Sequence, residues 1–270
     1  MRIGILTSTG TRHRFFANAI RADFPVVAVG YEETGYSPAA VKNEELTPEQ
    51  KKVVEAHFAE RDRQEQRFFG SDSSFLINGP EVSVFRIARG SLNSDQTRDR
   101  FLARDVDTVL VYGTNLIREP LISQWQGRML NMHLGLSPYY RGTATNFYPL
   151  VNEEPQFVGA TIHLIDAGID SGPIVRHSRP DIVLGDMPHT IGCKAILAGI
   201  RAMKKSLGEL ARDGMVKAQP QWVVADARLY LRRDYDPRHV VDLYRKIDAG
   251  LIDRYVRASR NRKCDLRLIP

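Results

Sequence analysis

An alternation of short apolar runs with amphipathic stretches constrains this chain most. The runs "RIGILTS" (2–8), "PVVAVGY" (25–31), "VSVFRI" (82–87), "VDTVLVYG" (106–113) and "GRMLNMH" (127–133) are dense in β-branched and bulky apolar residues. Strands apolar at nearly every position need cover on both faces, and parallel neighbours need crossovers of a dozen or more residues. The segments between the runs supply them. The pattern predicts an α/β fold: an open, mostly parallel sheet with helices on both faces.

Between the second and third runs lies "TPEQKKVVEAHFAERDRQEQRFF" (47–69). Thr47 suits an N-cap, Pro48 the first helical position, and Gln50 completes a capping box. This helix is long and charged, so it is expected to be a solvated surface insertion. Further on, "FVGATIHLI" (157–165) and "GPIVRHSRPDIVL" (172–184) read as strands joined by the turn "DAGIDS". A helix over 187–212 follows, with an apolar stripe of Ala195, Ile196, Gly199, Ile200 and Met203. The tail predicts one or two strands around "QWVVADARLYLRR" (221–233) and a helix over 236–257. The domain reading is 1–214 for the main α/β unit and 215–270 for a small α+β extension.

Residues 201–270 hold 17 Lys and Arg against 9 Asp and Glu, whereas residues 1–200 hold 21 against 23. A basic tail suits nucleic acid, a phosphorylated small molecule or an acidic surface, but interleaved Asp residues suit a solvated face equally well. Cys193 and Cys264 have no companions at metal-ligand spacing, so two free thiols and no metal are expected. No apolar run reaches the length of a membrane span, and "MRIGILTSTG" reads as a strand rather than a leader; a cytoplasmic location is expected.

The first strand-to-helix turn places Ser8, Thr9, Gly10 and Thr11 where open sheets bind ligands, with Arg12, His13 and Arg14 adding charge. Neither a G-x-G-x-x-G fingerprint nor a phosphate-loop G-x-x-x-x-G-K is present, which argues against dinucleotide and ATP enzymes. Arg12 and His13 are candidates for a substrate phosphate. Residues two apart in a strand share a face, so Asn131 and His133 form a polar pair at the end of "GRMLNMH". Asp166 and Asp170 lie in the Gly-containing turn of "GATIHLIDAGIDSGPI" (159–174), free to return a carboxylate toward the sheet.

Asn131-x-His133 followed by Pro138-x-x-x-Gly142, then Asp170-x-Gly172 in that segment, resembles the 10-formyltetrahydrofolate-dependent formyltransferases, over about residues 100–180. The resemblance implies a Rossmann-like formyltransferase fold and a catalytic triad of Asn131, His133 and Asp170. Asn131 and a charged His133 would meet the developing oxyanion, and Asp170 would orient the ring and accept the amine proton through a water. Tyr112, Gly113, Thr114, Asn115, Leu116 and Ile117, with Ala167, Gly168 and Ile169, would line the folate site. His163 is expected to pack or support, and Asp166 to brace the turn. Four residues, Leu134 to Ser137, separate the His from Pro138, a departure from the common family pattern.

Among the family's branches, "SPYYRGTATNFYPL" looks like the loop of sugar N-formyltransferases, which act on nucleotide-linked amino sugars. On that reading Arg12, Arg14 and Arg141 would meet the diphosphate, with Thr11 and His13 also in the substrate site, and Tyr139, Tyr140 or Trp222 would stack on a base. A tRNA acceptor would call for a longer C-terminal barrel, so nucleic acid is not the expected partner. Glycinamide ribonucleotide fits the first turn poorly. A non-catalytic folate- or nucleotide-binding protein is the alternative of another class, and self-association into a homodimer stays open.

Overall fold

The computed structural model describes residues 1–33, 45–259 and 266–270. Its strands are β1 (Ile3–Ser8), β2 (Val26–Glu32), β3 (Ser83–Ile87), β4 (Thr108–Tyr112), β5 (Met129–His133), β6 (Tyr140–Gly142), β7 (Ala160–Leu164), β8 (Ile174–Ser178) and β9 (Arg228–Tyr230). Seven of these form one sheet in the order β3-β2-β1-β4-β5-β7-β8, and β6 pairs with β9. The first five in that order run parallel, while β7 and β8 are antiparallel to their neighbours. The predicted mostly parallel sheet is therefore present, and the reversal at β7 proves decisive for the site.

The helices are α1 (Thr11–Arg21), α2 (Pro48–Phe69), α3 (Asp95–Leu102), α4 (Leu121–Gln124), α5 (Tyr148–Val151), α6 (Pro188–Asp213), α7 (Arg238–Asp248) and α8 (Leu251–Ser259). On one face of the sheet Ile3, Ile5, Leu110, Leu130 and Met132 pack against Phe16 and Ile20 of α1 and Ile196, Ile200 and Met203 of α6. On the other, Leu6, Val109, Val111 and Met129 meet Phe101 of α3, Leu121 of α4 and Trp125. Each fully buried Leu, Ile or Phe side chain contributes about 1.5–3 kcal/mol, so these two layers dominate the stability.

The capping box is present: Thr47 Oγ1 accepts from Gln50 N at 3.3 Å and Gln50 Oε1 accepts from Thr47 N at 3.0 Å. However, α2 is not a solvated insertion. It buries Val54, His57 and Phe69 and packs against α1, α6 and α7. Most of its charges lie on the outer side, while Glu65 turns inward to Arg12 of α1. The helix expected over 236–257 is two helices, because Gly250 at φ +81° takes a left-handed conformation that ends the first. Among the described residues of the tail only Arg228–Tyr230 forms a strand, and the strand reading of 179–184 fails after Ser178. A turn closed by Ala227 N on Val224 O interrupts one, and Pro180 removes a ladder donor from the other.

Leu243, Leu251, Ile252 and Val256 of α7 and α8 share a core cluster with Leu150, Val151, Ile191 and Ala195. Their basic side chains are largely answered locally: Arg238 by Asp236, Arg245 by Asp242, Lys246 by Asp242 and Glu153, Arg254 by Glu153. That is the interleaved, solvated face. Burial pushes the Cys193 thiol up to about 12, while Cys264 lies outside the described residues. Among the described residues no helix is long and apolar enough to cross a membrane, and no group of His, Cys, Asp and Glu is placed to hold a metal.

Candidate active site

The antiparallel register of β5 and β7 sets Asn131 opposite His163 and His133 opposite Thr161. These side chains share the sheet face of Val111, which registers with Asn131 across β4 and β5. Antiparallel strands need no helical crossover, so here loops meet the sheet. Ser137 N donates to Thr161 Oγ1 at 2.9 Å, and that hydroxyl donates to Gly135 O at 2.6 Å. The turn between β7 and β8 curls over the same face and delivers Asp170.

Asp170 adopts φ +46°, a left-handed conformation that costs a non-glycine residue about 1–3 kcal/mol and persists only when the surroundings over-determine it. They do so here. Asp170 Oδ2 lies 3.2 Å from His133 Nδ1 and accepts from Gly142 N at 3.0 Å, and Oδ1 accepts from Asn131 Nδ2 at 3.2 Å. Burial opposes ionisation of Asp170, but His133 and the Gly142 N–H hold its pKa well below the usual carboxylate range.

His163 Nδ1 faces Leu164 O at 2.8 Å, so its proton sits there and Nε2 accepts from Asn131 Nδ2 at 3.0 Å. Both amide hydrogens of Asn131 are thereby engaged, one on the imidazole and one on the carboxylate. His133 Nε2 lies 3.0 Å from the Tyr140 carbonyl and 3.3 Å from the Thr145 hydroxyl. Burial pulls the His133 pKa below 6.5, and Asp170 opposes that pull. A ring with an acceptor at each nitrogen satisfies both only when doubly protonated. Burial and the Asp170 charge thus pull the ring in opposite directions, with burial the larger.

Beside His133 the chain leaves β4 as the predicted folate loop. The Tyr112 side chain is buried under α1, and Ile117 is buried with α3 and α4, whereas Leu116 is 45% exposed. Thr114 Oγ1 donates to Asn115 O at 2.8 Å. Asn115 is pinned by a carboxylate that sequence reasoning missed: Glu32, 1% exposed, accepts from Asn115 N at 2.8 Å and from its Nδ2 at 2.7 Å. The only sequence signal was an acid ending an apolar strand. In the acidic turn Ala167 and Gly168 are exposed and Ile169 half-buried. Asp166 braces the turn by accepting from Gly168 N at 3.1 Å and Ser171 Oγ at 2.9 Å.

The substrate residues read from sequence divide. Thr11 opens α1, and Arg12 there pairs with Glu65 of α2 at 3.1 Å. His13 is buried against Tyr112, ring centroids 4.9 Å apart, and burial pushes its pKa far down, so it adds no charge. Arg14 is spent on Thr9 O and Ser73 O. Tyr139 packs on Phe157 and Trp222, its hydroxyl donating to Arg267 O at 3.1 Å. Tyr140 is 1% exposed, its hydroxyl held by Glu154, Arg228 and Asn152; it offers the site its carbonyl, not its ring. Arg141 stands apart. Its charge acts on His133, and its buried Nε has no hydrogen-bond partner among the described residues.

Residues 32–205 match the family described as formyl transferase. The chain is 31% identical over 159 residues to methionyl-tRNA formyltransferase of Burkholderia multivorans, covering 59% of this chain and 47% of that protein. It spans about half the length of the curated relatives it matches. Phosphoribosylglycinamide formyltransferase from Anaplasma phagocytophilum superposes with a TM-score of 0.56 at 16% identity, over 86% of this chain and 97% of the other. The N-formyltransferase from Helicobacter canadensis, solved with folinic acid and dTDP-3-aminofucose, gives 0.55 at 15% identity, over 90% and 80%. At these identities the structures establish the fold.

Proposed function

The chain belongs to the formyl transferase family, and on that premise we propose that it transfers a formyl group from 10-formyltetrahydrofolate to the amino group of a nucleotide-linked amino sugar. The observation that carries the reading is the convergence of Asn131 and His133 on the carboxylate of Asp170, from segments 39 residues apart. The folate brings an electrophilic formyl carbon, held against the exposed Leu116 and the open backbone of Ala167 and Gly168. As the amine adds, charge grows on the formyl oxygen. His133 meets it from Nε2 once the Tyr140 carbonyl gives way, and such a donor is worth about 2.7–4 kcal/mol of barrier. Asn131 fixes the carboxylate, and Asp170 holds the ring and takes, through a water, the proton the amine sheds; as the tetrahedral centre collapses, the bond from the formyl carbon to folate N10 breaks and that proton passes to N10, releasing tetrahydrofolate.

The acceptor assignment rests on Arg141. It is a cation beside the triad whose Nε has no hydrogen-bond partner among the described residues, suited to a diphosphate through charge-assisted bonds. The internally paired basic residues of α7 and α8 favour a small acceptor over nucleic acid. The names of the curated relatives favour a second reading, methionyl-tRNA as acceptor. Incubation with 10-formyltetrahydrofolate and a panel of amino-sugar nucleotides, initiator methionyl-tRNA and glycinamide ribonucleotide, followed by weighing of the products, tests both. Formylation of the tRNA with every sugar nucleotide untouched would overturn the first reading in favour of the second.

A further inference from the structure

Residues 219–232 run across all three loops that build the site. Ile174 and Gln219 exchange backbone hydrogen bonds of 2.7 and 2.8 Å. Gln221 Nε2 donates to Asp170 O at 2.7 Å and to Gly172 O at 3.0 Å. Arg228 N donates to Tyr139 O and Thr143 N to Tyr230 O, both at 2.8 Å, closing β9 onto β6. Arg232 then reaches Asn115 Oδ1 at 2.8 Å. One irregular strap thus touches the acidic turn, the Tyr140 loop and the folate loop in succession.

We propose that this strap sets the geometry of the triad, and that Gln221 is its positioning residue: by clamping the carbonyls of Asp170 and Gly172 it holds Asp170 in the left-handed turn that aims the carboxylate at His133. The carboxylate's own contacts leave the backbone rotation of Asp170 undetermined, because an aspartate has two side-chain torsions with which to follow its partners. A single amide holding two carbonyls two residues apart fixes that rotation. Among the described residues Ser137 Oγ, 3.4 Å from Asp170 O, is the one other side-chain donor to that carbonyl. Gln221 makes its hydrogen bonds to Asp170 and Gly172 and none to Asn131 or His133, so its effect passes through Asp170. This inference rests on the formyl-transfer reading only for its catalytic consequence.

The structural claim is tested without any acceptor. The groups facing the His133 ring are the Asp170 carboxylate, His163, the Arg141 charge, the Tyr140 carbonyl and the Thr145 hydroxyl. Of these only Asp170 raises the basicity of His133 through its charge. Nitrogen-15 NMR of labelled histidines, with His133 assigned by its absence in His133→Gln, follows the ring through titration in wild type, Asp170→Asn and Gln221→Met. In Gln221→Met, which keeps the volume but loses the donors, the His133 midpoint is expected to fall by about half a pH unit or more, in the same direction as in Asp170→Asn, since a displaced carboxylate supports the imidazolium less. A midpoint unchanged in folded Gln221→Met but shifted in Asp170→Asn overturns the proposal. Should Gln221→Met not fold, Gln221→Asn, one methylene too short to span both carbonyls, carries the same expectation and the same refutation. Absence of formyl transfer to every acceptor would count against the proposed function and leave this result standing.

Discussion

Replacing the Asp170 carboxylate by an amide separates the chemistry of the site from its shape. The carboxylate receives Asn131 Nδ2 at 3.2 Å, Gly142 N at 3.0 Å and His133 Nδ1 at 3.2 Å. An amide at the same place keeps one acceptor oxygen and turns an NH2 group toward the remaining donors, so one of them loses its partner and the imidazolium loses its counter-charge. A hydrogen bond to a charged group contributes about 1.5–3 kcal/mol, and loss of one charge-stabilising donor in an acyl-transfer site about 2.7–4 kcal/mol. Asp170→Asn is therefore expected to lower single-turnover formyl transfer by about a hundred- to a thousandfold. Stability supplies a second signature. The Asp170 pKa is depressed in the folded state, so its ionised form stabilises the fold above the unfolded value of about 3.8, and that contribution is lost as pH falls through the folded value. Urea unfolding should show the variant weaker than wild type at pH 7, with the gap closing in strong acid. A folded variant turning over within about tenfold of wild type, or a gap that widens in acid, would refute the reasoning.

Gly142→Ala would place a Cβ 2.0 Å from the Tyr230 carbonyl at φ +92°; a loss of about 2–4 kcal/mol is expected from left-handed strain and the displaced β9, read by urea titration, and unchanged stability would contradict it. Arg141→Ala should raise the acceptor KM about tenfold or more, the value of one charge-assisted diphosphate contact, with steady-state kinetics as the check. His57 and His189, nitrogens 3.1 Å apart, are pushed by burial down to about 3 and about 4. The unfolded chain therefore binds protons there first, and stability should fall as pH drops from about 6.5 toward 4, by up to about 1.4 kcal/mol per pH unit for each histidine. In the double variant His57→Gln, His189→Gln that slope should flatten in denaturation curves between those values.

What the sequence discloses follows the range of the interactions. The strands, the capping box and the shared face of Asn131 and His133 depend on spacings of two to four residues, and each is legible. Asp170 became legible through a motif that fixes its distance from the pair. Gln221 leaves no such trace: it acts 51 residues from Asp170 out of irregular backbone with no periodicity to read. Glu32 and Asn115, 83 residues apart, are hidden for the same reason. The charge of Arg12 suggested a ligand, but ion pairing with Glu65 depends on how α2 docks, which no local pattern states. The break at Gly250 was visible as a glycine, yet an amphipathic period running through it masked the stop.

The position of β1 inside the sheet bears on how the molecule assembles. It is the first strand in the sequence, yet it pairs with β2 on one side and with β4, residues 108–112, on the other. Emerging from the ribosome, it carries an unsatisfied edge until more than a hundred residues are made, the kind of distant pairing that slows folding and leaves strands exposed to strangers. The sheet then grows outward in both directions, and Gln221 and β9 arrive after every strand of it is complete. Scaffold and chemistry are therefore separated in time: the residues that reach over the acidic turn are made only after every strand of the seven-stranded sheet.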